Sequence, residues 1–199
     1  MNRMLAATAL AAGLTTSAAL ADAELYVIDA SHSQALFSYS HLGMSTTFGM
    51  FSGWEGEISF DADDPAASSV TVSIPTLAMF TGWEERDAHF QSGDFFSSDD
   101  DSLVTFTSTG IEVTGETTAN ITGDLTINGV TQEVVLDTVM NMSGPHPLPQ
   151  MNGALAAGFT ATTQILRSDF NVGAFAPFIS DEVDVTISIE AIRAEDMPS

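Results

Sequence analysis

The sequence predicts an all-β protein that folds as an antiparallel barrel. Three observations carry the prediction. Short runs in which apolar and polar residues alternate recur along the chain, as in half-buried strands. Turn signals such as Asn128-Gly129 join neighbouring runs, and no run has the length and period of a long helix. About eight such runs, with no lysine to protect an edge, favour a closed barrel over the alternative, a β-sandwich.

The clearest local signal is a β-hairpin over residues 121–142. In its first strand Ile121, Gly123, Leu125 and Ile127 share one face, and polar residues occupy the other. Asn128-Gly129 supplies the two positive-φ positions of a type I′ turn. The return strand places Val134, Leu136, Met140 and Met142 on one face. A two-stranded hairpin with one apolar face needs further strands to cover it.

The other predicted strands vary in regularity. Residues 183–190 show the cleanest alternation in the sequence. Residues 34–41 and 48–60 also alternate, and the second of these runs contains Gly49, Gly53 and Gly56, which indicate bulges or bends. Residues 82–102 break the pattern, so we expect a long loop there, with a short helix over residues 83–90.

Residues 1–21 have the features of a cleaved secretory signal peptide. Arg3 precedes an apolar stretch from Met4 to Leu14, and Ala19-Leu20-Ala21 matches the small-x-small cleavage pattern. The apolar stretch is shorter than the roughly 20 residues that a membrane span needs. We therefore expect one exported domain over residues 22–199, located in the periplasm and without stable membrane insertion.

The composition excludes several kinds of partner and site. The formal net charge is −23, with 27 acidic residues against four arginines and no lysine. Such a chain repels nucleic acid and anionic lipid head groups. It has no cysteine, so a thiolate metal site is excluded, and the four histidines lack the spacing of a metal motif. We predict no metal and no catalytic residues, and interpret Ser31-His32-Ser33 as a turn.

Two features leave structural and functional interpretations open. Arg86 and His89 lie in the irregular segment, where they either fix the loop to the barrel rim or meet a polar head group at its mouth. Arg167 occupies a comparable position after a strand. The second irregular connection runs over residues 167–182. The two connections contain or flank seven of the 13 phenylalanines, whose side chains serve either core packing or ligand binding. They are Phe80, Phe90, Phe95, Phe96, Phe170, Phe175 and Phe178.

The order and spacing of several short motifs resemble the YceI family of secreted bacterial proteins. The motifs are Tyr26-Val27-Ile28-Asp29 with His32-Ser33, His41 with Gly43, Gly49 to Gly53, Arg86-Asp87-Ala88-His89, Asp94-Phe95-Phe96, Val104-Thr105-Phe106, residues 123–131 and Arg167-Ser168-Asp169-Phe170. The resemblance covers Tyr26 to Ile192. It implies an extended eight-stranded lipocalin-like barrel with a long apolar channel. It also implies a periplasmic carrier that binds a polyisoprenoid, such as a quinone or a prenyl pyrophosphate, and needs no other cofactor.

From the alternation we predict which residues contact the ligand. We expect Phe37, Tyr39, Phe51, Phe106, Leu125, Leu136 and Phe159 to line the channel, Phe90 and Phe170 to lie near its openings, and His41, Arg86 and His89 to supply polar contacts. Two other functions remain open: an enzyme that uses His41 with Tyr39, and a ligand-free structural or stress protein whose aromatic side chains fill the barrel. A homodimer with twofold symmetry is the expected assembly.

Overall fold

A computed structural model describes residues 23–197, so the expected signal segment 1–21 lies outside the described residues. The described chain contains eleven strands and one α-helix. The strands are β1 (Glu24–Ile28), β2 (Gln34–His41), β3 (Ser45–Phe51), β4 (Glu55–Phe60), β5 (Ser69–Pro75), β6 (Met79–Phe80), β7 (Leu103–Val113), β8 (Thr118–Ile127), β9 (Val130–Pro145), β10 (Leu155–Leu166) and β11 (Glu182–Arg193), and the helix is α1 (Glu84–Gln91).

Eight of the strands close into a ring. The order is β1-β4-β5-β7-β8-β9-β10-β11, and β11 pairs back with β1, so that Tyr26 lies opposite Arg193. Every pairing in the ring is antiparallel. The predicted all-β antiparallel barrel is confirmed, and the sandwich alternative is not what the chain forms.

The barrel is longer than its shortest strands because β1 and β2 follow each other along the long strand β11, and β4 and β3 pair with β1 and β2 on the other side. β11 pairs with β1 near its own C-terminal end and with β2 near its N-terminal end. β4 and β3 are the partners of β1 and β2 respectively. The break between β3 and β4 contains Gly53, whose φ of 70° only glycine adopts readily. The glycine-rich run therefore forms the bend that the sequence predicts.

The predicted hairpin is formed by β8 and β9. Asn128 and Gly129 both have positive φ, 50° and 74°, as a type I′ turn requires. The two strands pair without interruption from Ile127 with Val130 to Thr118 with Val139. Ile127 and the residues that alternate with it are directed into the barrel.

The predicted helix begins one residue later than expected, because Trp83 has extended backbone and precedes the first helical residue. α1 and the loop after it lie across one end of the barrel. The ring of Phe90 lies 6.0 Å from that of Tyr39, and the ring of Phe96 lies 5.8 Å from that of Phe51. Within residues 23–197, α1 and the short 3₁₀ turns are too short and too polar to cross a membrane.

Candidate ligand-binding cavity

The barrel interior is not filled by its own side chains. A cavity of about 280 Å³ lies inside the ring, close to the lower limit of typical ligand pockets. All eight strands of the ring except β1 contribute to its wall, because alternate residues of a strand point to the same side of the sheet. The cavity therefore follows directly from the alternation in the sequence.

The wall along the middle of the cavity is aliphatic and aromatic. β11 contributes four alternate residues, Val183, Val185, Ile187 and Ile189. β8 and β9 contribute Ile121, Leu125, Ile127, Val134, Leu136 and Met140, and the other strands contribute mostly residues of the same kind together with a few threonines. The middle of the cavity offers an apolar chain a surface that needs no hydrogen bonds.

Two glycines make room for the aromatic wall. Gly123 lies beneath the ring of Phe106, and a Cβ atom at Gly123 would lie 2.3 Å from Phe106 Cζ. Gly49 stands in the same relation to Phe37, also with 2.3 Å from the added Cβ to Cζ. Each ring occupies the space that a side chain on the neighbouring strand would need, so these positions need glycine.

The two ends of the cavity differ. At one end the rings of Phe90, Phe95 and Phe96 form a cover over Tyr39 and Phe51, and we call residues 81–102 the lid segment. At the other end the wall is formed by the turn from Gly115 to Thr118 and by Ser68 and Ser69. That opposite end carries hydroxyl groups and the carboxylate of Glu116, whereas the lid end is aromatic.

Eight of the twelve predicted contact residues line the cavity. They are Phe37, Tyr39, Phe51, Phe90, Phe106, Leu125, Leu136 and Phe159. His41, Arg86, His89 and Phe170 are not part of its wall. Phe170 is instead packed in a core cluster with Ile127 and Val172, with 1% of its surface exposed. Contact between those four residues and a ligand stays a prediction.

Arg86 has a structural role at the edge of the lid segment. Its Nε donates to Thr81 Oγ1 at 2.8 Å and its Nη2 donates to the Thr81 carbonyl at 2.6 Å. Asp87 Oδ1 in turn accepts hydrogen bonds from the main-chain N–H and the hydroxyl of Thr81. His89 Nε2 lies 3.1 Å from Asp94 Oδ2, and its ring contacts those of Phe95 and Phe175. These contacts hold the lid segment together.

Arg167 is the charged residue that reaches the cavity at the lid end. Only 9% of it is exposed, and its guanidinium donates to four main-chain carbonyls. The four acceptors belong to Val172, Ala174, Ile179 and Ser180, at 2.9 to 3.2 Å. Burial lowers the pKa of Arg167, while the neighbouring groups of Asp181 and Tyr39 act in the opposite direction. No carboxylate among the described residues forms an ion pair with it.

The residue list from the sequence misses several wall residues. Trp54, with 3% of its surface exposed, lines the cavity, and its indole N–H donates to the Phe51 carbonyl. Its position in a glycine-rich bend gives no alternation signal. Phe95 and Phe96 lie in the lid segment, where only their composition hints at burial. The four inward residues of β11 also line the cavity, and the clear alternation of that strand is a signal from which they can be predicted.

The Ser31-His32-Ser33 motif forms the turn between β1 and β2. Asp29 Oδ1 accepts hydrogen bonds from the N–H and hydroxyl of Ser31, and Asp29 Oδ2 lies 2.8 Å from His32 Nδ1. The Ser31 hydroxyl lies 3.0 Å from the same Nδ1. A catalytic triad needs the serine and the acid on opposite ring nitrogens, so this arrangement is not one. Asp29, His32 and Glu190 have ligand atoms within 4.8 Å of one another, but the group is largely exposed and joins this turn to Glu190 on β11.

The chain is similar to several known proteins. It is 39% identical over 195 residues to a UPF0312 protein of Pseudomonas savastanoi pv. phaseolicola, covering 97% of this chain and 98% of that protein. The YceI protein of Campylobacter jejuni superposes with a TM-score of 0.69 at 29% identity, covering 77% of this chain and 89% of that one. A polyisoprenoid binding domain from Saccharophagus degradans superposes with a TM-score of 0.65 at 16% identity, over 84% and 98% of the two chains.

The family comparison agrees with these likenesses. The family model described as the YceI-like domain matches residues 26–191, which include all eight strands of the closed ring except their outermost residues. The matched range agrees with the range from Tyr26 to Ile192 over which the sequence motifs resemble this family. The chain belongs to the YceI-like domain family.

Proposed function

We propose that this protein is a periplasmic carrier that holds a polyisoprenoid or a similar long-chain amphiphile inside its barrel. The observation that carries the proposal is the apolar cavity that runs from the lid segment to the turn between β7 and β8. Burial of each methylene group of a chain is worth about 0.8 kcal/mol, so length and an apolar wall supply affinity without a charged contact. The solved relative from Saccharophagus degradans, described as a polyisoprenoid binding domain, supports the same class of ligand.

The two alternatives are less well supported. A ligand-free protein would have aromatic side chains that fill the barrel, whereas this barrel contains a cavity. An enzyme built on Tyr39 and His41 needs both groups at one place. Tyr39 lines the cavity, but His41 is exposed and its main chain pairs with that of Ile179. A binding protein is the function that the wall supports best.

The first experiment identifies the natural cargo. The protein is purified from the periplasm of a Gram-negative host without detergent, and native mass spectrometry and solvent extraction follow. We expect one isoprenoid quinone or prenyl lipid per chain. Protein that is repeatedly recovered empty, and that also takes up no added prenyl lipid, would contradict the proposal.

The second experiment tests whether the cargo lies in the cavity. Leu136→Trp places a large side chain into the cavity from β9, whereas Val135→Trp places the same side chain on the outer face, where Val135 is 49% exposed. We expect Leu136→Trp to abolish uptake of a prenyl quinone and Val135→Trp to retain it, with both variants checked for folding by circular dichroism. Equal uptake by both variants would place the ligand elsewhere.

Two further parts of the proposal rest on the sequence. The N-terminal segment predicts export, so we expect cell fractionation to recover a protein that lacks residues 1–21 in the periplasm. A twofold-symmetric homodimer stays a prediction, and sedimentation equilibrium measures it. A monomer at all concentrations would overturn the dimer and leave the carrier function unaffected.

A further inference from the structure

We infer that Arg167 and Tyr39 form a head-group subsite at the lid end of the cavity, which selects amphiphiles with a neutral carbonyl oxygen at one end. The inference rests on the proposed carrier function and deepens it. It assigns an orientation, with the head group below the lid segment and the apolar chain towards the turn between β7 and β8.

Arg167 has one hydrogen-bond donor that the protein does not use. A guanidinium has five N–H donors, and four of those of Arg167 reach main-chain carbonyls. One Nη2 hydrogen remains without an acceptor among residues 23–197. The residue is nine-tenths buried and borders the cavity, so water competes poorly for this hydrogen. A buried donor without a partner destabilises the protein, and a ligand oxygen would recover that loss.

The second donor is the neighbouring hydroxyl of Tyr39. Tyr39 lines the same cavity with 6% of its surface exposed, and none of the hydrogen bonds formed within residues 23–197 involves its hydroxyl. The main chain holds Tyr39 and Arg167 close together. Ser40 pairs with Ser180 through the hydrogen bond from Ser180 N to the Ser40 carbonyl, and Arg167 Nε donates to the Ser180 carbonyl. Tyr39 and Arg167 therefore line the same end of the cavity, and each has a donor that the protein itself does not use.

The subsite also restricts the charge of the head group. A prenyl diphosphate would bring more than one negative charge into a space where Arg167 is the only cation that lines the wall. Four of the five donors of that cation are already occupied, and the carboxylate of Asp181 lies nearby. Incompletely paired charge in a buried site is strongly unfavourable, because the charge loses its hydration without gaining a full set of partners. A quinone, amide or ester carbonyl accepts two hydrogen bonds without bringing charge, so the subsite favours that class.

The test compares three ligands of equal prenyl chain length: a prenyl benzoquinone, the corresponding prenyl benzene without carbonyl groups, and a prenyl diphosphate. Dissociation constants are measured by equilibrium gel filtration with extraction of the bound ligand. We expect wild-type protein to bind the quinone roughly 5- to 100-fold more tightly than the hydrocarbon, from two hydrogen bonds, and more tightly than the diphosphate. Failure of all three ligands to bind would overturn the carrier function itself. Binding with equal affinity for quinone and hydrocarbon, or with preference for the diphosphate, would overturn only the subsite.

Tyr39→Phe removes one of the two donors with little change of volume. We expect it to weaken quinone binding roughly 2- to 10-fold and to leave hydrocarbon binding unchanged. Tyr26→Phe is the matched control, because Tyr26 is equally buried but belongs to a core cluster outside the cavity wall. Equal quinone binding by wild-type protein and Tyr39→Phe would overturn the role of Tyr39.

A spectroscopic measurement separates direct contact from a structural effect. A hydrogen-bonded quinone carbonyl has a lower infrared stretching frequency than a free one. We expect a lowered carbonyl band in the wild-type complex, a smaller shift in Tyr39→Phe, and the wild-type band in Tyr26→Phe. A bound quinone whose carbonyl bands match those in alkane solvent would contradict the subsite, whatever the affinities.

Discussion

At the scale of single residues, two aromatic rings of the cavity wall pack against glycines on the adjacent strand, where a larger residue would not fit. The ring of Phe106 covers Gly123 on the adjacent strand, in the same arrangement as Phe37 over Gly49. A methyl group at Gly123 would also approach the carbonyl oxygen of Thr107 to 2.6 Å, and main chain cannot move aside as a flexible side chain does. Substitution there must displace the ring or the strand.

Gly123→Ala should therefore reduce the free energy of unfolding by about 1–3 kcal/mol, the usual cost of overpacking a core. Gly110→Ala is the matched control. Gly110 lies on β7, paired with β8 like Phe106, and an added Cβ there meets nothing within 4 Å. We expect this control to change stability little, as measured by urea denaturation. Equal effects of the two substitutions would contradict the packing argument.

The turn between β1 and β2 contains a titrating pair. The hydrogen bond to Asp29 raises the pKa of His32 above its ordinary value of 6.5. Burial raises the pKa of Asp29, but hydrogen bonds from Ser31 and His32 outweigh burial and hold that pKa below its usual value. The folded protein thus binds a proton at His32 more tightly than the unfolded chain does.

This pair predicts a pH dependence of stability. The contribution of His32 is fully present below pH 6.5 and is lost as the pH rises through the raised pKa of the folded state. The free energy of unfolding should therefore fall as the pH rises above 6.5, and His32→Gln should flatten this slope. Urea denaturation at several pH values measures both. An unchanged slope in His32→Gln would show that other groups control stability in this range.

At the scale of elements, the lid segment is fixed by polar contacts at its base and by aromatic contacts at its tip. Thr81, which is buried, lies between the carboxylate of Asp87 and the guanidinium of Arg86. Phe90 and Phe96 contact the barrel at Tyr39 and Phe51. No residue of α1 is fully buried, so the helix depends on these contacts more than on a core of its own.

Asp87→Ala should loosen the lid segment. It leaves the buried Thr81 N–H without its acceptor, at a cost of about 1–3 kcal/mol. We expect faster amide hydrogen exchange over residues 84–96 and faster release of bound quinone. Asp94→Ala is the control, since Asp94 contacts His89 at the surface, where ion pairs contribute little. Unchanged exchange in Asp87→Ala would show that the aromatic contacts alone hold the segment.

At the scale of the whole molecule, charge acts against the compact state. The chain carries 27 acidic residues and a formal net charge of −23. Few positive charges offset the carboxylates. Arg193 bonds to Glu24 and Asp196 where β11 closes on β1, and Arg167 is buried. Repulsion among the remaining carboxylates destabilises the fold and is screened by salt.

The melting temperature should therefore rise as sodium chloride is increased from about 10 mM to 300 mM, since the Debye length falls below the spacing of many surface charges. For a chain of this size each 1 kcal/mol corresponds to about 2–4 °C. Scanning calorimetry in sodium chloride, with sucrose of equal osmolarity as the control, measures the effect. A melting temperature that falls with salt would mean that favourable ion pairs outweigh repulsion.

The sequence by itself determined the strands, their inward faces and the sharpest turn. Alternation along β8, β9 and β11 is a local property, because successive side chains of any strand point to opposite sides. The positive φ angles at Asn128 and Gly129 are equally local. Seven predicted wall residues follow from this rule, and the eighth, Phe90, lies on α1.

Only the tertiary structure decided whether the inward side chains fill the barrel, and which polar groups reach its interior. Filling depends on strand number, tilt and the closure of β11 on β1, which no single run of sequence contains. The burial of Arg167 depends on residues 172–180 folding back around its guanidinium. The sequence shows the arginine but not the four carbonyls, because irregular segments have no period from which side-chain direction can be inferred.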